Sequence, residues 1–365
     1  MSNNNPYILG IGTAVPNEPL KQSELSAVMS KDFSSDPLVV DKVSKIFEQS
    51  QINTRYLYRN PLREETALRH RKNENINDVN RQFQKCAPDL SQRACEKAIK
   101  EWGGSIQDIT HIVSVSSTGV VVPDINFVLI QRLGLNKDIE RLSVNFMGCL
   151  AGLSSMRAAV PLASKHPKNR VLVVCTEICS THFSTKEGVD QIVASTIFAD
   201  GSAAYILGCN PTIYEHPLFE VIGSMTRSVP DTAHTMTWDI STDGWDLGLD
   251  QSIPHHIGGG IESFVNDLLA KNKSQTQDLT PKECEFLIHT GGKAILMSIE
   301  QSLGITSKQN QHSWDIYRNY GNMSSASVIF VLEHARHSKS LPQYSISLAF
   351  GPGLAFEGCV LKNMV

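Results

Sequence analysis

Residues 171–177 read VLVVCTE, a run in which odd and even positions alike are apolar up to Cys175. Strands covered on both faces have this composition, which is typical of α/β sheets. Four more runs of this kind occur along the chain, at residues 109–117 (ITHIVSVSS), 202–208 (SAAYILG), 285–290 (EFLIHT) and 345–351 (SISLAFG). Helical patterns are predicted at residues 150–165, 294–303 and 324–336, and loops at the polar stretches 59–80 and 271–277. The sequence therefore predicts an α/β fold with helices packed around buried sheets.

The composition is that of a globular protein that does not bind nucleic acid. The 365 residues are 41% hydrophobic and 19% charged, and the formal net charge of −4 leaves no basic footprint. No window approaches about 18 consecutive apolar residues and the N-terminus lacks a signal-peptide pattern, so neither a membrane span nor secretion is predicted. The eight cysteines include no CxxC pair, which disfavours a zinc or redox site. We expect a cytoplasmic protein with reduced thiols and no bound metal.

Three segments carry candidate catalytic residues. Cys149 lies after an apolar segment at the start of a helix pattern, where unpaired N–H groups and the helix dipole favour a thiolate. His289 ends a predicted strand before two glycines, and Asn322 follows Gly321 at the start of another helix pattern. The three residue types together supply a nucleophile, its ion-pair partner and an oxyanion donor.

Each of these residues also has a purely structural interpretation. Buried cysteines and strand-end histidines are more often structural than catalytic, and the chain holds eight cysteines and 12 histidines. An asparagine after a glycine most often caps a helix or forms a turn. The order Cys, His, Asn also occurs in papain-like proteases, but the cysteine signature of that family, C-G-[SA]-C-[WY], is absent.

At these segments and along most of its length, the chain closely resembles the type III (chalcone synthase-like) polyketide synthases. The segments that carry the resemblance are YILGIGTAVP (7–16), RYLY (55–58), AIKEWG (98–103), STGVVVP (117–123), RVLVVCTE (170–177), FADGSAA (198–204), YGNMSSA (320–326) and AFGPGLAFEGCVL (349–361). The resemblance implies a thiolase fold, five αβαβα layers built from two related halves, here 1–215 and 216–365. It also implies a homodimer that uses acyl-CoA and malonyl-CoA as substrates and needs no metal or redox cofactor.

The resemblance also implies how the three residues act. Cys149 would hold the starter and the growing chain as a thioester, and His289 would stabilise its thiolate. His289 and Asn322 would bind the thioester oxygen while malonyl-CoA loses carbon dioxide, and the enolate would attack the acyl group on Cys149. Repeated rounds would give a poly-β-keto chain that cyclises to a pyrone, a resorcinol or an acylphloroglucinol.

Further positions match substrate-binding residues of the family. Phe198 matches the aromatic gatekeeper of the cavity, and Val122 matches the residue that reaches into the partner's cavity. Lys42 and Lys45 match two positions that grip CoA phosphates, whereas the third basic position is Gln49 here. The remaining matches are Ser117, Ser324 and the cyclisation loop Gly351, Pro352 and Gly353 for the substrate, and Gly291, Gly292 and Ala294 for CoA.

Departures from the family pattern bear on the starter. Leu247 replaces a second gate phenylalanine, and His182 replaces a small polar residue. Both changes favour an aliphatic starter over a coumaroyl-type one. The start of the chain, SNNNP, resembles the Steely-type hybrids, in which a fatty-acid-synthase module precedes the type III domain. In that case an acyl carrier protein would deliver the starter.

Three other functions compete with this interpretation. A ketoacyl synthase III-like enzyme has the same three residue types and carries out a single condensation. A catalytically silent thiolase-fold protein would bind acyl groups or a partner without turnover. A cysteine hydrolase is the last alternative. The HTGG and GNMSSAS segments and the presence of all three residues favour the polyketide synthase.

Overall fold

The computed structural model describes residues 5–16, 18–71, 74–185, 188–241 and 244–364. The described strands are β1 (Tyr7–Ala14), β2 (Leu20–Lys21), β3 (Thr54–Arg55), β4 (His111–Ser116), β5 (Glu140–Asn145), β6 (Arg170–Ile178), β7 (Asp200–Gly208), β8 (Phe219–Ser228), β9 (Met236–Ser241), β10 (Gly244–Leu249), β11 (Cys284–Ile288), β12 (Tyr344–Gly351) and β13 (Ala355–Asn363). The α-helices are α1 (Gln22–Phe33), α2 (Pro37–Gln49), α3 (Ile76–Trp102), α4 (Ile125–Leu133), α5 (Ala151–Ser164), α6 (Val189–Ile197), α7 (Ile253–Lys271), α8 (Lys273–Thr276), α9 (Lys293–Leu303), α10 (Gln311–Tyr320) and α11 (Ser327–Ala335). Short 3-10 helices lie at Glu64–Thr66, Leu68–His70, Ile106–Asp108, Gly148–Leu150, Cys179–His182, Pro281–Glu283 and Ser324–Ala326.

Nine strands form a mixed sheet in the order β11-β12-β13-β8-β1-β7-β6-β4-β5. On one side of the centre, β1 and β7 pair antiparallel, β7 and β6 antiparallel, and β6 and β4 parallel. On the other side, β8 and β13, β13 and β12, and β12 and β11 repeat this sequence of pairings. The two sets join where Tyr7 pairs with Glu220 and Ile8 pairs with Phe219. The chain therefore uses one strand pattern twice, and β5 is an additional edge strand.

Alternating strand residues bury both faces of the sheet, which explains the apolar runs in the sequence. In β4 and β6, Ile112 and Leu172 face the outer cluster under α3 and α4, whereas Val113 and Val173 face the central cluster. The central cluster includes residues of α5 and α11, which contact strands of both strand sets. A third cluster lies under α7 and α9 on the other outer face. The two strand sets of this sheet thus form two layers with helices between them and on both outer faces. The layers run helix, sheet, helix, sheet, helix, and the predicted five-layer α/β fold is confirmed.

The segment between β7 and β8 is anchored by a buried ion pair. The Arg170 Nε and Nη2 atoms each donate to Glu215 at 2.6 Å, and Trp102 Nε1 donates to the same carboxylate at 2.5 Å. The N–H of Thr212 also donates to it, at 2.7 Å. Burial alone would raise the pKa of Glu215, but these donors outweigh it and lower the pKa to about 2.

Glu215→Gln is expected to destabilise the protein in a pH-dependent manner. The folded-state pKa lies below the ordinary value of 4.5, so the carboxylate stabilises the fold above pH 4.5 and loses this contribution as pH falls towards 2. At pH 7 the variant should lose about 3 kcal/mol of unfolding free energy, because the buried Arg170 loses its counter-ion. Urea unfolding at pH 7 and pH 3 measures both values, with the exposed Glu65→Gln as control. An equal loss at both pH values would contradict this account.

Candidate active site

Cys149 lies on a tight turn that connects β5 to α5. Its 3-10 helix begins at Gly148, two residues after Phe146, and both of these residues have positive φ values, 68° and 61° respectively. The Gly148 N–H donates to Ser117 Oγ at 2.9 Å, and a Cβ atom on Gly148 would lie 2.5 Å from Pro352 Cδ. Glycine is therefore required before the cysteine, both for the left-handed backbone and for the close approach of Pro352.

His289 is the residue directly after β11, and its ring is buried without a partner. Its N–H donates to Leu348 O at 2.8 Å, which continues the pairing of β11 with β12. The side chain is 1% exposed, and neither ring nitrogen has a hydrogen-bond partner among the described residues. Because buried polar groups are nearly always paired, these nitrogens mark a site that accepts a polar ligand. Burial lowers the pKa of His289 to about 3.

Asn322 is held by backbone hydrogen bonds to the segment around Phe198. Its N–H donates to Ile197 O and its carbonyl accepts from the Ala199 N–H, both at 2.8 Å. Its side-chain Oδ1 accepts from the Ser324 N–H at 2.8 Å, while Nδ2 lies 3.5 Å from Gly291 O. This long contact leaves Nδ2 available as a donor to a ligand. Thr290 Oγ1 donates to Gly321 O at 2.8 Å, which ties the His289 segment to the Asn322 segment.

Cys149, His289 and Asn322 all line one cavity of about 630 Å³. Its walls are mostly apolar, and Phe198 lies beside the three residues with 9% of its surface exposed. The opening is marked by the exposed lining residues Val189 and Met297. A largely apolar cavity with a few converging polar groups is the usual form of a small-molecule site.

Burial changes the proton affinities of the cysteine and the histidine in opposite senses. It raises the pKa of Cys149 to about 11, against the opposing effect of hydrogen bonds from Ser324 and Asn322. Together with the low pKa of His289, this favours a neutral thiol and a neutral imidazole in the empty cavity. If the proton moves from the sulfur to the ring, the two charges form together and stabilise each other. Burial thus opposes the helix dipole, which alone would favour the thiolate as predicted from the sequence.

Glu177 is a buried carboxylate that the sequence analysis missed. It accepts from the Ser117 N–H at 3.0 Å, from Thr118 Oγ1 at 2.8 Å and from Ser325 Oγ at 2.6 Å. Burial raises its pKa despite these hydrogen bonds. Since Ser117 Oγ also accepts from the Gly148 N–H, and Ser325 lies three residues after Asn322, Glu177 connects two of the three candidate segments. The available signal was a glutamate at the end of the apolar run VLVVCTE.

The structure brings most of the predicted site residues together. The predicted positions that line the cavity are Phe198, Leu247, Gly291, Gly292, Ala294, Ser324 and Pro352. Ser117 lies beneath the cysteine turn through Gly148, and Gly351 and Gly353 flank Pro352. His182 lines a separate small chamber behind Phe198, with Trp238 and Leu247, and its Nε2 lies 2.8 Å from Thr118 O.

Three predicted positions lie outside this group. Lys42 and Lys45 are exposed on α2 and do not line the cavity. The Lys45 ammonium forms an ion pair with Asp41 at 2.6 Å. Val122 is 95% exposed and does not line the cavity of its own chain.

Within the described ranges, no three or more His, Cys, Asp and Glu side chains are arranged to hold a metal ion. In the same part of the chain, every helix is too short or too polar to cross a membrane.

Comparisons with known proteins identify the family. Residues 1–211 match the N-terminal domain of the chalcone and stilbene synthases, and residues 220–365 match their C-terminal domain. The chain is 62% identical over 365 residues to "Probable polyketide synthase 1" of Dictyostelium discoideum, covering 100% of this chain and 12% of that protein. It is 29% identical to "Type III polyketide synthase C" of Arabidopsis thaliana, covering 98% of this chain and 95% of that protein.

A solved structure agrees with the sequence comparisons. It is the C-terminal type III polyketide synthase domain of Steely1, described as a type I/III hybrid from Dictyostelium. It superposes with a TM-score of 0.98 at 62% identity, covering 99% of this chain and 100% of that one. The two family domains match in order along the chain, and residues of both line the cavity. The chain therefore belongs to the chalcone and stilbene synthase family of type III polyketide synthases, which are decarboxylating, condensing acyltransferases.

Proposed function

We propose that Cys149, His289 and Asn322 are the catalytic residues of this polyketide synthase, Cys149 from a half spanning 1–215 and the others from a half spanning 216–365. The observation that carries the proposal is the buried His289 ring, unpartnered among the described residues, in the cavity that Cys149 and Asn322 also line. In the loading step, the Cys149 proton moves to His289 and the sulfur attacks the thioester carbonyl of the starter. The tetrahedral intermediate then expels the pantetheine thiolate, which takes the proton back from His289.

In the extension step, the malonyl thioester oxygen accepts hydrogen bonds from Asn322 Nδ2 and the His289 ring. These donors stabilise the enolate that forms when the carboxylate leaves as carbon dioxide. The enolate carbon attacks the acyl carbonyl on Cys149, a carbon–carbon bond forms, and the Cys149 thiolate leaves. The apolar walls of the cavity exclude water, which would otherwise hydrolyse the acyl-enzyme or protonate the enolate.

The loading step is tested by intact-protein mass spectrometry after incubation with an acyl-CoA and no malonyl-CoA. We expect one acyl adduct, located on Cys149 by peptide mapping and absent from Cys149→Ala. An adduct on another cysteine, or none with any thioester of a broad panel, would overturn the proposal.

We propose an aliphatic starter whose tail enters the small chamber behind Phe198. Its walls are mostly apolar and include Phe183, Ala194 and Trp238 besides Leu247, while the polar residues of the lining are His182, Gln191 and Ser195. A narrow apolar chamber suits an alkyl tail better than a hydroxylated ring, whose hydroxyl would lose its hydrogen bonds to water.

Hexanoyl-CoA is therefore expected to react with a kcat/KM at least about tenfold above that of coumaroyl-CoA, which corresponds to about two buried methylene groups. Competition between the two thioesters, followed by mass spectrometry of the acyl-enzyme, measures this ratio directly. A preference for coumaroyl-CoA would contradict the aliphatic starter.

We propose that a second copy of the chain covers the outer edge of β5. This edge strand ends the sheet and is largely exposed along its length. Exposed apolar side chains surround it, namely Val120, Val122, Phe127, Leu142, Phe146 and Met147. An unpaired edge with an apolar rim is an unfavourable free surface, which a symmetric partner would cover.

Leu142→Arg is expected to convert the dimer to a monomer, because it buries an unpaired charge in the proposed interface. Light scattering after size-exclusion chromatography measures the mass. Ile240→Arg is the matched control, since Ile240 is an exposed apolar residue on the separate β9–β10 hairpin. A monomeric unmodified protein, or equal behaviour of the two variants, would contradict this interface.

We propose, further, that an acyl carrier protein can deliver the starter. The chain spans about 12% of the length of its Dictyostelium relative, and the similar Steely1 domain is described as part of a type I/III hybrid. Faster acylation of Cys149 by hexanoyl-carrier protein than by free hexanoyl-4′-phosphopantetheine, which carries the same phosphate, would support this delivery. Equal rates would contradict it.

A further inference from the structure

Lys293 is the only lysine or arginine among the described residues that line the active-site cavity. It is the first residue of α9, four positions after His289, and the family resemblance gives it no role in substrate binding. The lysines on α2 lie outside the lining, and Lys45 is already paired with Asp41. The α2 residues that do line the cavity are Ile46 and Gln49, with Ser50 just after the helix.

Lys293 is held at the opening by contacts between α2 and α9. Its Nζ atom lies 3.4 Å from Gln49 O at the end of α2. The buried Tyr317 hydroxyl donates to Ser50 O at 2.9 Å and accepts from the Lys293 N–H. Its neighbours Ala294 and Met297 are exposed, so the ammonium lies where the cavity meets solvent.

The surroundings of Lys293 favour an anion. Gly292, the residue before α9, has a φ of 152° and offers no side-chain cap, so the first turn presents N–H groups beyond that of Lys293, which donates to Tyr317. The two carboxylates in the lining already accept backbone hydrogen bonds, Asp190 from Leu249 and Asp250 from Ser252. In the same cavity, the buried His289 ring, which has no partner in the part of the chain that the structure describes, independently marks a site for a polar ligand.

A pantetheine thioester that enters the cavity through this opening would carry an anion towards Lys293. The pantetheine arm extends from the thioester, which must reach Cys149, to a phosphate at its outer end. That phosphate is common to CoA and to the arm of a carrier protein. We propose that Lys293 binds the pantetheine phosphate and supplies at α9 the cation that is missing at Gln49 on α2. This inference rests on the proposed loading of Cys149.

The test compares hexanoyl thioesters that differ only in their phosphate groups. Hexanoyl-pantetheine has no phosphate and hexanoyl-4′-phosphopantetheine has one, while hexanoyl-CoA and hexanoyl-carrier protein present the same phosphate from two sources. The second-order rate of Cys149 acylation is followed by intact-protein mass spectrometry. Lys293→Gln should lower this rate about tenfold for the three phosphate-bearing thioesters and leave that of hexanoyl-pantetheine unchanged. Lys293→Arg should retain most of the rate, and Lys273→Gln, at an exposed ion pair on α8, is the control.

The outcomes separate this inference from the proposed function. An equal loss with hexanoyl-pantetheine would mean that Lys293 is structural, and no loss with any phosphate-bearing thioester would mean that the phosphate binds elsewhere. Either result overturns the inference and leaves the loading of Cys149 intact. A loss with hexanoyl-CoA alone would assign Lys293 to the nucleotide of CoA instead. If none of the four thioesters acylates the unmodified protein, the proposed function itself fails, and this inference with it.

Discussion

Cys149→Ala is expected to lower polyketide formation by a factor of at least about 10³, while decarboxylation of malonyl-CoA continues. Condensation requires an acyl group held on the sulfur, so its loss stops chain growth entirely. Decarboxylation requires only the donors that stabilise the enolate, and these belong to His289 and Asn322. Measuring acetyl-CoA release and polyketide yield in the same reaction separates the two activities.

The control for this variant is Cys209→Ala. Cys209 is a buried thiol whose sulfur lies 3.6 Å from Ser164 Oγ, outside the cavity lining. It should keep both activities. Residual polyketide formation in Cys149→Ala near the unmodified rate would show that another group carries the chain, and the assignment of the nucleophile would be wrong.

Asn322→Ala is expected to lower malonyl-CoA decarboxylation by about 10²-fold, the usual loss when one oxyanion donor is removed. Starter loading should fall much less, because Cys149 and His289 are both present. The exposed Asn319→Ala on α10 should change neither step. Stopped-flow decarboxylation and acyl-enzyme mass spectrometry provide the two rates. If Asn322→Ala slows loading and decarboxylation equally, the residue positions the whole site and is not a specific oxyanion donor.

The buried strands could be predicted from the sequence because their environment leaves a local signature. The run at 171–177 lies within β6, and the run at 345–351 lies within β12. Both runs are apolar because helices cover both faces of these strands. The helix pattern at 294–303 is confirmed as α9, which begins one residue earlier.

The two predicted loops were wrong in part, for reasons that polarity alone could not reveal. Within 59–80, α3 already begins at Ile76, because Asn75 and Asp78 form a capping box. Within 271–277, α7 ends at Lys271 and α8 begins at Lys273, and Asn272 between them bonds to both helices. Its side chain donates to Leu268 O at 2.8 Å, and its carbonyl accepts from Thr276 Oγ1 at 3.1 Å. Polar residues that cap helices were thus interpreted as loop residues.

The cavity depends on contacts between distant segments, which a local pattern cannot contain. Only the joined strand sets show that the His289 ring has no partner among the described residues, that Glu177 is buried between segments, and that Lys293 contacts the end of α2. The proposed catalytic residues could be assigned from the sequence because three specific motifs carry them, and their roles remain predictions. The opposite effects of burial on the pKa values of Cys149 and His289 required the structure.

The most direct test of the central claim is mass spectrometry of the products formed from hexanoyl-CoA and ¹³C-labelled malonyl-CoA, beside Cys149→Ala. We expect cyclised products that contain two or more labelled two-carbon units and that disappear in the variant. Products with a single labelled unit would instead identify a ketoacyl synthase III-like enzyme, and the same products from Cys149→Ala would contradict the account altogether.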